Sequence, residues 1–413
     1  MQHAAFCSTL ALTLGASLAA QQIASPYNAS YTLTSLGSVP GVPINYGGLT
    51  IKALDPNYLL IGGAANGSAG ALYEIRLVRD AQNHITGFSG TAVRYADAAY
   101  NDGGVCYGPN NVLFLARWPV NEIGQTRLGS ALTDRIITLN NLSSPSPGAL
   151  AFVPPGFPNA GHLKILPYNT GFFYDATVAP DGNGTYDINN ITYQSQTSGA
   201  PEGLVYVPAG SPLFVDYQNL LVCEYSPGRV SAYSIDAGAA PIAATRRDFI
   251  TGLSGAEGAT IDPATGDFLF STFGGGNQVI VVKGFGQPCA SFLNYGTGLH
   301  GTGNRIPTIG GSGCAARNLA IAINVGNGLA NGGGILAIGA QQLSAPIFGG
   351  TLLVNPLLFV THTLDASGQI SMPTQIPDDG NLLGVDFYAQ SFYLDPGAPQ
   401  LLSMTNGLTS QIR

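Results

Sequence analysis

Charge is what this chain has least of. Asp, Glu, Lys and Arg make up 9% of its 413 residues, against about 25% in an average soluble protein. Lysine occurs only as Lys52, Lys164 and Lys283. Exposed helix faces need such residues, so a charge-laced helical protein is excluded. The net charge of −8 excludes a phosphate-backbone partner, and no nucleic acid is expected. No apolar run reaches the ~18 residues of a membrane helix; Leu352 to Val360 is interrupted by Asn355 and Pro356. Catalytic signatures are missing too. There is no C-x-x-C and no H-E-x-x-H, and Gly252-Leu253-Ser254-Gly255-Ala256 fails the G-x-S-x-G pattern at its last place. What is present is 45% hydrophobic residues, enough for a sizeable core. Gly (56) and Pro (27) are about a fifth of the chain, short of the roughly 25–30% of low-complexity sequences.

Residues 1–20 read as a secretory signal. An apolar run from Ala4 to Leu14 leads to Ser17 and Ala19, small residues suited to cleavage after Ala19, with Ala20 the alternative. The stretch before the run has His3 but no Lys or Arg. Export, to the medium or the cell surface, is the expectation. Four cysteines then remain, with three pairings open. Cys289 and Cys314 share one Gly-rich region and are expected to pair. Cys106 and Cys223 lie in apolar runs and are expected as buried free thiols.

A repeat organises the first two thirds. Gly followed by an apolar run recurs at Gly48, Gly104, Gly148, Gly203 and Gly258. A second apolar run follows each, such as Val112–Leu115 or Leu220–Cys223, and then a third, such as Arg229–Tyr233 or Val279–Val282. Breakers such as Asp262-Pro263-Ala264-Thr265-Gly266 separate them. Four short strands per unit at about 40–55 residues describe a β-propeller blade. The fold expected is therefore all-β: a propeller over 27–285, five blades favoured and six the alternative if 116–147 hides a unit. An array of β-sandwiches is the competing architecture. Residues 29–46, from Ser30-Tyr31-Thr32-Leu33-Thr34 onward, have no partners of their own and are expected to supply the outer strand of the last blade, beside Val279–Val282. Over 290–413 the text changes to clean alternation, as in Leu319-Ala320-Ile321-Ala322-Ile323, which indicates a small β-sandwich.

Two resemblances follow. Tyr295-Gly296-Thr297-Gly298, Asn327-Gly328-Leu329, Asp395-Pro396-Gly397-Ala398-Pro399 and Thr405-Asn406-Gly407-Leu408 resemble the C-terminal β module of many secreted planctomycete proteins. Leu299 stands where that module often carries Cys. Pro201-Glu202-Gly203-Leu204-Val205-Tyr206 and Ala256-Glu257-Gly258-Ala259-Thr260-Ile261 resemble inner-strand openings of NHL-type and SMP-30/gluconolactonase-like propellers. The second resemblance implies a calcium in the central channel, held by Glu202 and Glu257, with Asp102, one residue earlier in its own repeat, and Asn45 as compensating donors. Counted from the repeat glycine, the other units offer Gly47, Gly103 and Pro147, which have no side-chain oxygen. Two converging carboxylates suit Ca²⁺, which takes six to eight oxygens; without a cation one of them should hold a proton. In the competing reading each Glu simply accepts backbone N–H groups.

Asp181-Gly182-Asn183-Gly184-Thr185-Tyr186-Asp187 looks like a calcium loop, but Thr192 stands where the bidentate Glu belongs, so a surface turn is expected. His84, His162, His300 and His362 form no cluster and are expected to be structural or solvated. The leading functional expectation is a secreted, monomeric, non-enzymatic propeller that binds an extracellular ligand or surface component at its channel mouth. The alternatives are a Ca²⁺-dependent lactonase or esterase and a cell-surface structural protein.

Overall fold

The computed structural model describes residues 21–140, 146–214, 218–286, 290, 292–316, 319–377, 379–382 and 384–412. The signal expected at 1–20 and Cys289, with the pairing expected for it, lie outside these residues. Cys106 and Cys223 are free thiols, the first half-buried and the second buried.

Five antiparallel sheets form the propeller, each a meander that starts at the axis and runs outward. Blade 1 is Leu49–Ile51, Tyr58–Gly63, Ala71–Arg79 and Ile85–Asp97; blade 2 is Asn101–Tyr107, Leu113–Arg117, Glu122–Thr126 and Arg135–Thr138. Blade 3 is Pro147–Phe152, Leu163–Pro167, Phe172–Pro180 and Tyr186–Gln196. Blade 4 is Pro201–Tyr206, Asn219–Glu224, Arg229–Ser234 and Arg247–Thr251, and Gln22–Ile23 adds a fifth strand outside it. Blade 5 is Ala256–Ile261, Phe268–Thr272 and Val279–Lys283, completed by Thr32–Gly37 from the start of the chain. The register Thr32↔Lys283, Leu33↔Val282 and Thr34↔Val281 matches the closure expected from the sequence. Among the described residues of 116–147 there is no sixth blade, because Glu122–Thr126 and Arg135–Thr138 are the outer strands of blade 2.

Stacked blades bury both faces of each sheet, and this explains the continuous apolar runs. Successive side chains of a strand point to opposite faces. In blade 4, Leu221 and Cys223 pack with Phe268 and Phe270 of blade 5, while Leu220 and Val222 pack with Ala149 and Phe173 of blade 3. In blade 5, Leu269 turns the other way and meets Leu59 and Ile61 of blade 1. Blades 2 and 3 share Phe114, Ile123, Leu163 and Ile165; blades 1 and 2 share Leu60, Leu72, Val105 and Leu115. The five inter-blade cores run in ring order.

The repeat glycines explain how five blades close. A Cβ placed on Gly48 would lie 2.3 Å from the Gly103 carbonyl oxygen, and one on Gly104 2.6 Å from the Leu150 nitrogen. On Gly148 it would lie 2.4 Å from the Pro201 oxygen, on Gly203 2.5 Å from the Glu257 oxygen, and on Gly258 2.6 Å from Gly48 Cα. Each glycine faces the backbone of the next blade, and the fifth returns to the first.

Beyond the propeller, Leu293–Tyr295, Gly407–Gln411, Asp386–Leu394, Gly333–Gly339 and Leu358–Thr363 pair in that order, with Leu402–Met404 also on Asp386–Leu394. Thr308–Gly313, Ala320–Gly326 and Ile370–Gln375 form a second sheet, and Gln341–Ile347 with Gly350–Asn355 a hairpin. Ile309, Ile323 and Val325 of the second sheet share a core with Leu336, Tyr393 and Leu408 of the first, as in a sandwich. Among the described residues no helix is long and apolar enough to cross a membrane.

Replacing Gly203 by alanine is expected to destabilise the chain by about 1–3 kcal/mol, because backbone cannot yield as a side chain does. Gly87→Ala, where a Cβ meets nothing within 4 Å, is expected to stay within about 0.5 kcal/mol. Denaturant unfolding of the two variants against the parent chain checks both.

Candidate metal centre and upper channel mouth

Each inner strand of blades 2 to 5 begins with an irregularity in its ladder. In blade 4 the pairs Pro201↔Glu224 and Gly203↔Cys223 are consecutive, so Glu202 has no cross-strand partner. In blade 5 the step from Ala256↔Thr272 to Ala259↔Phe270 likewise leaves one residue over. A bulge of this kind re-aims a side chain, and here it frees Glu202 and Glu257 from the pleat. In blade 2 the step is larger: Asn101↔Arg117 is followed by Val105↔Leu115. That second extra residue brings Asp102 to the same place, although it sits one residue further from its repeat glycine.

Asp102, Glu202 and Glu257 each offer a carboxylate oxygen, and these oxygens lie within 4.8 Å of one another. Their residues are 0%, 4% and 1% exposed. No Lys, Arg or His pairs with any of them among the described residues. Asp102 Oδ2, Glu202 Oε2 and both Glu257 oxygens are buried without a hydrogen-bond partner. The Asn66 amide from blade 1, oriented by its neighbours, donates to Asp102 Oδ1 at 2.9 Å. Burial first, and then mutual repulsion, pushes Glu202 and Glu257 well above the usual carboxylate range; burial pushes Asp102 up to about 7. Three carboxylates without a counter-charge need protons or a cation.

The donor set fits a hard divalent cation. All donors are carboxylate oxygens, which suit calcium, magnesium or manganese rather than zinc or copper. Oxygens on opposite sides of a calcium at about 2.4 Å are about 4.8 Å apart, and the three carboxylates offer oxygens no farther apart than that. Blade 3 contributes no side chain. The bulged residue of its inner strand, between Pro147 and Ala149, is Gly148, and a Cβ there would lie 2.7 Å from Glu202 Oε2, so the glycine leaves the room that this carboxylate fills.

A second feature was not singled out in the sequence. The residue after each second strand donates its N–H to the backbone just before the inner strand of its own blade: Trp118 to Tyr100, Tyr168 to Ser146, Tyr225 to Ala200, Phe273 to Gly255 and Ala64 to Ile44. Four of these five residues are aromatic and half-buried. They touch edge to face in sequence: Trp118–Tyr168, Tyr168–Tyr225 and Tyr225–Phe273, each with ring centroids 6.0 Å apart. The crescent crosses blades 2 to 5 and opens at Ala64 of blade 1. Burial and then the fields of Glu257, Tyr168, Glu202 and Asp102 raise the Tyr225 phenol above its ordinary range, which sets the crescent beside the carboxylates. The signal was legible: an aromatic follows the second apolar run by two or three residues in four consecutive repeats.

The other singled-out residues stay out of this centre. His84 Nδ1 pairs with Asp267 at 2.6 Å and His162 Nδ1 with Asp175 at 2.8 Å. His362 Nε2 meets the Tyr393 hydroxyl at 2.6 Å, and His300 is exposed. Asp181 accepts the N–H groups of Asn183 and Thr185 and pairs with Arg135 Nη1 at 2.7 Å, a turn braced by its own residues.

No family model and no curated protein matches this chain. Solved structures similar to it include a gluconolactonase from Xanthomonas campestris, at 15% identity and a TM-score of 0.39, covering 66% of this chain and 87% of that one. Others are the PQQ domain of a pyranose dehydrogenase from Coprinopsis cinerea (9%, TM-score 0.38, 64% and 97%) and the β-propeller domain of Cps50 from Myceliophthora thermophila (10%, TM-score 0.34, 59% and 84%). What those proteins act on is not carried over to this chain by likenesses of this size.

Proposed function

We propose that the chain is an exported binding propeller whose upper mouth takes a small ligand over a divalent cation, calcium by preference, held by Asp102, Glu202 and Glu257. The observation that carries this reading is the group of buried carboxylate oxygens without partners beneath an aromatic crescent. The carboxylates supply the negative charge and Asn66 orients Asp102. Trp118, Tyr168, Tyr225 and Phe273 give a ligand an apolar wall with stacking edges, and Ala64 leaves one side open. Calcium prefers six to eight oxygens, so ligand or water oxygens complete the set. The N-terminal sequence supports secretion or display at the cell surface.

A second reading is a lactone- or ester-type hydrolase, favoured by the Tyr225 phenol, which lies within the field of the three carboxylates. A bound cation would supply carbonyl polarisation and a water of lowered pKa. The chain's own part would be to hold the ligand against the crescent and to keep bulk water from the carboxylates.

Two measurements test the cation. The chain is expected to melt higher in calcium than in EDTA, by about 2.7 kcal/mol of stability at 100 times the dissociation constant. Glu202→Gln and Glu257→Gln should each remove the difference; an equal melt in calcium and EDTA would discard the cation. In EDTA, stability should also fall as pH rises from the ordinary carboxylate range near ~4 through the value of about 7 reached by Asp102. The folded state keeps protons there that the unfolded chain has released, so each further step in pH favours unfolding. Calcium should flatten that fall.

The mouth can be read optically, because Trp118 is the single tryptophan. Titration with candidate lactones, esters and cyclic polyols in calcium is expected to change its emission for the ligand class bound. Tyr225→Ala should weaken that change, and turnover of a responding lactone or ester would select the hydrolase reading. A flat Trp118 signal across ligands that calorimetry shows to bind would place the ligand elsewhere.

A further inference from the structure

The inner strands carry a second opening at their other ends. Each runs from the carboxylates at its start to a cavity of about 210 Å³ at its finish, walled by all five blades. Thr50 comes from blade 1, Val105 from blade 2, Leu150 from blade 3, Leu204 from blade 4 and Ala259 from blade 5. The ring of repeat glycines, where backbone meets backbone, separates this cavity from the metal centre. Even blades that are not neighbours touch there: a Cβ on Gly103 would lie 2.1 Å from the Glu202 carbonyl oxygen. Nothing as large as a ligand passes between the two mouths.

The chemistry of the lower cavity is the reverse of the upper. Among the described residues no Asp, Glu, Lys, Arg or His lines it. Val105, Leu150 and Leu204 are at most 4% exposed. The rim is aromatic, with Phe157 and Tyr206 packed at 5.0 Å. Tyr206 spends its hydroxyl on the Ala239 carbonyl at 2.8 Å, so it presents a ring rather than a donor. The Cys106 thiol in the wall is held protonated, its pKa pushed up to about 12 by burial.

We propose that this lower cavity is a binding site for one small uncharged apolar group, a single aromatic ring or a short branched acyl group. Volume sets the size: an apolar cavity of about 150 Å³ holds benzene or xenon, and 210 Å³ leaves room for a ring with one short substituent. It is too small for a peptide segment or a fused polycycle. The absence of a charged side chain from its walls sets the polarity, since a buried ion would find no partner there. Because the glycine ring lies between, the site is independent of any cation above it.

Toluene and benzoate are the probes, partitioned from headspace or solution onto the full chain. One saturable equivalent of toluene and no benzoate is expected, with the same result in calcium and in EDTA. Ala259→Leu and Thr50→Leu each add carbon to a different wall, and each is expected to lose toluene while still melting cooperatively. No saturable toluene on the parent chain, or undiminished binding in either folded variant, would overturn the site. If neither variant folds, a xenon-pressurised crystal of the parent chain decides: a peak between Val105, Leu204 and Ala259 supports the site, and peaks only elsewhere refute it.

Discussion

Backbone contact at the axis governs everything else in this propeller. Five inner strands can meet only where no side chain stands between them, and the repeat glycines provide that plane. Above it, the strands must bulge to enter the ring, and the bulges turn Glu202, Glu257 and Asp102 away from their own sheets. Below it, strand twist separates the same five chains, and side chains no longer fill the axis. One close contact therefore produces both a crowded polar centre and an apolar hollow.

The scarcity of charge follows from the same packing. Stacked blades bury both faces of each sheet, so strands have few positions where Lys or Glu can reach water. The charges that remain are mostly committed. Lys164 is fully buried and donates to Asp175, Gln194 and the Gly238 carbonyl. Arg79 holds Asp262 through both nitrogens, tying blade 1 to blade 5. Arg246 grips Glu224, which also accepts from Tyr233. Such buried pairs fix register, since removing one partner strands the other. Against that background the carboxylates at the axis stand apart, because among the described residues they are buried with no base and with four oxygens that have no hydrogen-bond partner.

Much of this was legible in the sequence. Gly48, Gly104, Gly148, Gly203 and Gly258 announce themselves because a close approach admits no substitute, and the apolar runs behind them give the strand order. Residues 29–46 had no local partner, and that orphaned state marked them as the source of the closing strand, which Thr32–Gly37 within them forms. The metal candidates were visible as text, but their alignment was not. Counting from the repeat glycine put Gly103 and Pro147 opposite Glu202; the extra bulged residue in blade 2 makes Asp102 its equivalent, and in blade 3 the equivalent is Gly148. A ladder irregularity has no sequence period to reveal it. Asn66 was missed for a related reason, as it reaches Asp102 from a loop of another blade. The lower cavity is a gap between strands, and no residue type marks a gap.

The closing strand also sets the order of events when the chain folds. Thr32–Gly37 lies near the beginning of the sequence, yet its partner Val279–Lys283 lies about 250 residues later. A strand synthesised before any blade of its own is thus among the last that can be placed. Until blade 5 exists, the outer edge it will cover has no partner, and neither does the early segment. Pairings between such distant residues are slow to form, because the intervening chain must first be brought together. The closing strand is made early and stays without its partner until blade 5 has followed.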